Sequence, residues 1–150
     1  MNYIGEHLLP GQIGHFFAIL SLVASLLATF AFYKASSVAV EDQKSWKILA
    51  RWSFGIESVS ILVLFGVLYY IISNHLFEYK YAYTHSDLSL QFEYLLSCFW
   101  EGQEGSFMLW SFWHCVLGWI IIWKGGKWEA PVLTVISFAQ FFIATMLLGM

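Results

Sequence analysis

Residues 13–33 read IGHFFAILSLVASLLATFAFY, a run with no Asp, Glu, Lys or Arg. A helix needs roughly 20 predominantly apolar residues to cross a bilayer, and this run meets that length. Working outward, three further stretches come close: 52–72, 107–123, which is short, and 132–150. The expected fold is therefore all-α, a polytopic membrane helix bundle of about four transmembrane helices in one membrane domain. The first run is too long for the apolar core of a signal peptide. No Lys or Arg precedes it from Met1 to Phe32, so it reads as a retained helix.

The composition agrees. The 150-residue chain is 59% hydrophobic and 11% charged, against about 25% charged in an average soluble domain. So small a unit cannot bury that much apolar surface in its own core, whereas lipid can cover the outside. A net charge of −3 argues against a nucleic-acid binder, which needs basic patches. Cys98 and Cys115 fit no zinc, CxxC or heme-attachment spacing and read as packed thiols. No nucleophile elbow, zinc-protease, P-loop or dinucleotide motif occurs, so the chain carries no complete catalytic site.

Basic residues set the expected orientation. Lys34, Lys44, Lys47 and Arg51 follow the first span, and Lys124 and Lys127 follow the third. The segments 34–51 and 124–131 are therefore expected in the cytoplasm. The N-terminus and residues 73–106 are expected outside, in the periplasm of a bacterium. The fourth run reaches Met150 without a polar flank, which suggests the N-terminal part of a longer chain.

The outer segment has a pattern of its own. Leu88, Phe92, Leu95 and Phe99 recur at helical spacing after Asp87, a suitable N-cap. A short periplasmic amphipathic helix is expected there, lying on the membrane surface.

Polar residues inside spans are costly and face other helices. Ser53, Glu57 and Ser60 share one face of the second span. Glu57 is read first as a partner of Lys47 or Arg51, and alternatively as a proton-relay acid. Ser21, Ser25 and Thr29 form a small-residue packing face. Ser106, Trp110, His114 and Gly118 are read as one face of the third span, with His114 a bundle hydrogen-bonder or a heme ligand. His15 is read first as an anchor near the outer end of the first span, and alternatively as a ligand. Trp46, Trp52, Trp123 and Trp128 fit an interfacial aromatic belt.

The most unusual stretch is Trp100-Glu-Gly-Gln-Glu-Gly-Ser-Phe-Met-Leu-Trp110. Gly102 and Gly105 permit close backbone approach. Ser106 is suited to cap the third helix, and Glu104 lies near its positive end. A well-made helix start explains much of this, but not the tryptophans on both sides of the two carboxylates.

This stretch resembles the WGGxEGSLLLW run of the cytochrome c maturation family CcmF, related to CcsA. Leu9-Pro-Gly-Gln-Ile-Gly-His-Phe16 is similar to the family's opening PEIGHF, expected just before the first helix, and His85-Ser86-Asp87 is similar to a further segment. Glu101 departs from the family's first glycine. The family's tryptophan-rich heme-binding motif and its flanking histidine ligands do not occur in these 150 residues. The resemblance implies a bacterial inner-membrane protein, its N-terminus in the periplasm, that helps present heme for covalent attachment to apocytochrome c. Heme b would be a substrate in transit, with its main site outside this chain. Apocytochrome c and other cytochrome c maturation membrane proteins are the implied partners. Trp100, Gly102, Gln103, Glu104, Gly105, Ser106, Trp110, His85 and His114 are the residues implied for heme contact. Gln103 and Ser106 suit the propionates, and His85 or His114 is the local iron-ligand candidate. A heme-free membrane transporter subunit centred on Glu57, or a structural helix module, is the competing reading.

Overall fold

The computed structural model describes residues 7–37, 40–85, 97 and 102–149. The expected amphipathic helix at 87–99, apart from Ser97, lies outside the described residues, as do Trp100, Glu101 and the side chain of His85; Cys98 is among those left out. Five α-helices are described: α1 (Leu8–Ser37), α2 (Val40–Ser73), the short α3 (Lys80–His85), α4 (Gln103–Lys124) and α5 (Glu129–Leu147). A 3-10 turn, Gly126–Trp128, joins α4 to α5. Among the described residues there is no strand. Four helices are long and apolar enough to cross a membrane.

The helices outrun the apolar stretches that announce them. At about 1.5 Å per residue, α1 is about 45 Å long, well beyond a hydrocarbon core of about 30 Å. The segment 34–51 is consequently not a loop. α1 runs to Ser37 and α2 starts at Val40, because Lys, Gln and Leu continue a helix as readily as they flank one. Leu9 to Phe16, expected ahead of the first helix, forms its opening turns. Pro10 is tolerated there since the first-turn N–H groups have no helical acceptor.

α1 is the central element, packed on α2 and α5, while α4 closes the bundle against α5 and, less extensively, α2. Its buried positions include Ser21, Ser25, Ala28, Phe32 and Ala35. Their spacing of three and four residues makes one seam of small side chains that lets helices approach closely. The hydroxyls do not disturb the seam. Ser25 donates to the Leu22 carbonyl at 2.9 Å and Thr29 to the Ser25 carbonyl at 2.8 Å. Large apolar side chains such as Val23, Leu26, Leu62, Ile120 and Phe138 point outward, as a lipid-facing surface requires.

The successive long helices run up and down. One end, called upper here, carries the starts of α1 and α4 and the ends of α2 and α5. Six of the seven basic residues lie at the lower end, all but Lys80. There, Phe32, Phe54 and Leu133 are fully buried. A methyl group added to Gly118 would strike the Phe54 ring, at 2.7 Å from Cε1, so only glycine fits beneath it. At the upper end α2 stops in a Schellman motif: Leu76 N–H donates to the Ile71 carbonyl and His75 N–H to that of Ile72. His75 takes the left-handed position, φ 51°, and Leu76 packs on Ile71.

Candidate functional site

α4 starts where the Trp100–Trp110 stretch said a helix would start, but not in the expected way. The N-cap is Gly102, in extended backbone, and Ser106 sits one turn inside. Its hydroxyl donates to the Gly102 carbonyl at 3.4 Å. Glu104 does lie in the first turn, near the positive end of the helix. Gly102 and Gly105 are buried, so the absence of side chains brings this first turn onto its neighbours.

That placement forms the wall of a cavity of about 320 Å³ at the upper end, shared by α1, α2, α4 and α5. Leu64, Leu68, Met108 and Leu147 make it apolar. Two polar side chains line it, Glu104 from α4 and His15 from the second turn of α1. Glu104, implied by the resemblance, and His15, read first as an anchor and alternatively as a ligand, thus meet around the same space.

The other candidates separate. Gln103 is exposed at the start of α4. Trp110 is 61% exposed and points away from the bundle, so it does not share a buried face with Gly118. The buried face of α4 is Met108, Ser111, Cys115 and Gly118. A spacing of four drifts around a 3.6-residue helix, whereas three-and-four spacing stays on one side. His114 is half-buried and faces Gln140, with Nδ1 3.4 Å from Oε1. Among the described residues, no three His, Cys, Asp or Glu side chains gather closely enough to hold a metal ion.

Gln140 is the residue the sequence reading missed. Its amide nitrogen donates to the Ser111 carbonyl at 3.0 Å and lies 3.6 Å from the Cys115 sulfur. Ser58, one residue beyond Glu57, accepts from Trp119 Nε1 at 3.1 Å. The only available signal was one amide in the apolar run 132–150.

Glu57 departs from its expected pairing. Arg51 instead makes a two-point ion pair with Glu129, at 2.7 and 2.9 Å. Glu57 is 0% exposed, and neither carboxyl oxygen has a hydrogen-bond partner among the described residues. Its helix neighbours cannot help. Ser53 donates to the Leu49 carbonyl and Ser60 to that of Ile56. Gln140 is the polar group that faces it from α5.

The turn after α2 clamps the start of α1 beside the cavity. Tyr79 accepts from the Gly11 N–H at 2.9 Å and donates its own hydroxyl proton to the His7 carbonyl. His7 N–H donates to Glu78 at 3.0 Å. This backbone donor, aided by the Glu78 N–H and the His7 ring, holds the exposed Glu78 carboxyl below its usual range.

One curated protein was found with similarity to this chain. It is a cytochrome c-type biogenesis protein, CcmF, of Haemophilus influenzae, 31% identical over 101 residues. The match takes in 66% of this chain and 15% of that protein, so the chain spans a small part of the relative's length. No protein-family model matches the chain. No solved structure matches it either.

Proposed function

We propose that this chain works in cytochrome c biogenesis, as a membrane module that helps present heme for covalent attachment to apocytochrome c. The observation that carries the reading is the 101-residue similarity to a cytochrome c-type biogenesis protein. The all-helical, four-span architecture is compatible with it.

The upper end supplies surfaces of the right chemistry. Heme is flat and apolar with an anionic propionate edge. The cavity is at the small end of ligand sites, which run from about 300 to 1,000 Å³, so a porphyrin would lie across its mouth. Outward-facing Trp110 offers a stacking surface. Exposed Gln103 offers an amide donor to a propionate. Glu104 would repel propionates, and its proposed role is to hold the helix start or to meet a partner. His15 joins His85 and His114 as a candidate axial ligand, being the histidine that lines the cavity. The thiols that add to the heme vinyl groups come from apocytochrome c, so this chain need supply no nucleophile. The cluster of basic residues at the lower end supports, by the positive-inside rule, a periplasmic upper end in a bacterial inner membrane.

One observation favours the second reading, a heme-free transport subunit: the fully buried Glu57, whose carboxyl oxygens make no hydrogen bond among the described residues. An intramembrane carboxyl is a functional candidate by default.

The test is restoration of c-type cytochromes in a host lacking this protein, read as covalently bound heme on gels. The parent chain in its native context restores them. Trp110→Ala, an exposed position whose loss leaves the core intact, lowers the yield severalfold while Glu57→Gln does not. The reverse pattern would transfer the function to Glu57.

A further inference from the structure

A groove of about 540 Å³ opens on the flank of the bundle, away from the upper cavity. Ile48, Trp52, Ile56 and Val59 of α2 form one side, with Trp119 of α4 and Phe17 of α1 completing it. It exists because α2 and α4 pack loosely and because Gly55 leaves room, with the Trp119 ring 3.8 Å from where its Cβ would stand. Ser60 also lines the groove, but its hydroxyl is spent on the Ile56 carbonyl. The one charged side chain in the wall is Arg51.

Arg51 lies at the lower, cationic end of this groove, and its geometry is set. Glu129, whose side chain is 4% exposed, binds Nε and Nη2 and fixes the guanidinium plane. The second terminal nitrogen, Nη1, has no acceptor among the described residues, and the side chain is 46% exposed. A guanidinium has five N–H donors in a fixed fork, so donors remain after a two-point pair. Lys44 is exposed and falls on the same helical face as Ile48, Arg51 and Gly55, at three-and-four spacing. Asp42, two residues earlier, falls on the opposite side. From Lys44 inward this α2 face therefore carries two cations, with Ile48 between them, and then an apolar track.

We infer that this groove is a binding site for one anionic phospholipid, its phosphate on Arg51 and Lys44 and an acyl chain along Trp52, Ile56 and Val59. The charge arrangement selects this occupant over a zwitterionic lipid. Basic pockets between membrane helices bind anionic headgroups, and each Lys or Arg near the surface contributes about 1 kcal/mol toward an anionic lipid. Two such residues, with part of the Arg51 charge countered by Glu129, give an expected preference of about tenfold. The inference is independent of the cytochrome c reading, since the groove shares no residue with the upper cavity.

The experiment is native mass spectrometry of the protein in mild detergent with equimolar phosphatidylglycerol and phosphatidylcholine. The parent retains phosphatidylglycerol about tenfold over phosphatidylcholine. Lys44→Ala, which leaves the Arg51–Glu129 pair intact, lowers the preference severalfold. The double variant Arg51→Gln, Glu129→Gln removes both charges together and lowers it about twofold, to the preference that Lys44 alone supplies. Gly55→Leu fills the groove and abolishes retention of both lipids while the basic residues stay. Equal retention of the two lipids by the parent, or a preference unchanged in Lys44→Ala and in the double variant, overturns the proposal. So does full retention by a folded Gly55→Leu protein.

Discussion

Arg51 and Glu129, 78 positions apart, meet in a two-point ion pair that ties the lower third of α2 to the start of α5. The partners are unequal. The Glu129 side chain is 4% exposed and that of Arg51 46%. Removing Arg51 leaves a buried carboxylate without a partner, whereas removing Glu129 leaves a cation that turns to solvent. Arg51→Ala is therefore expected to cost roughly 2–3 kcal/mol, less than a fully buried pair. Glu129→Ala should cost under about 1 kcal/mol. Thermal unfolding of the two variants in the same detergent checks the asymmetry, and equal losses would contradict it.

Gly118 carries a second prediction. Phe54 is fully buried, with Phe32 and Trp119 at 6.5 and 6.1 Å between ring centroids, so its ring has nowhere to move. Gly118→Ala should destabilise by about 1–3 kcal/mol through overpacking. Adding Phe54→Leu should recover part of that loss. Two losses that simply add would mean that Gly118 and the Phe54 ring do not meet as described.

Glu57 gives a third. Its carboxyl has no described partner, and a buried group left unsatisfied costs about 1–3 kcal/mol. Glu57→Leu is expected to raise stability by up to that amount. A clear loss of stability would show that the carboxyl is satisfied by something the described residues do not include.

The clamp on α1 supplies a pH dependence. The folded state holds the Glu78 carboxyl below its ordinary value of 4.5. A depressed carboxyl contributes stability that is present above 4.5 and is lost as pH falls through the lowered folded value. Amide hydrogen exchange at Gly11 should therefore accelerate as the pH drops from about 5 to 3, beyond the intrinsic rate change. Glu78→Gln should remove that dependence.

How far these features could be read beforehand differs from residue to residue. The four spans were legible, since a long run such as 13–33 admits no soluble alternative. Helix ends were not. The apolar count stops at the first charge, whereas the backbone of 40–51 continues as helix through Lys44, Lys47 and Arg51. Glu104 at a helix start was legible from the glycines around it. His15 beside the cavity was not, because nothing local in α1 says which turn of α4 will lie opposite. Lys47 or Arg51 as the partner of Glu57 follows from nearness along the chain, but Glu129 takes Arg51 from another helix. Gln140 failed to stand out for the same reason, as its partner Ser111 is 29 positions earlier.

The central claim is that the upper end of this bundle handles heme. The direct measurement is an absorption spectrum of the protein purified in its native context, from cells supplied with heme, before and after dithionite. It is run on the parent and on Trp100→Ala and Trp110→Ala. The account predicts a Soret band in the parent that sharpens on reduction and weakens severalfold in the tryptophan variants. A parent protein with no Soret band, folded and extracted under the same conditions, would contradict it and leave Glu57 as the site to pursue.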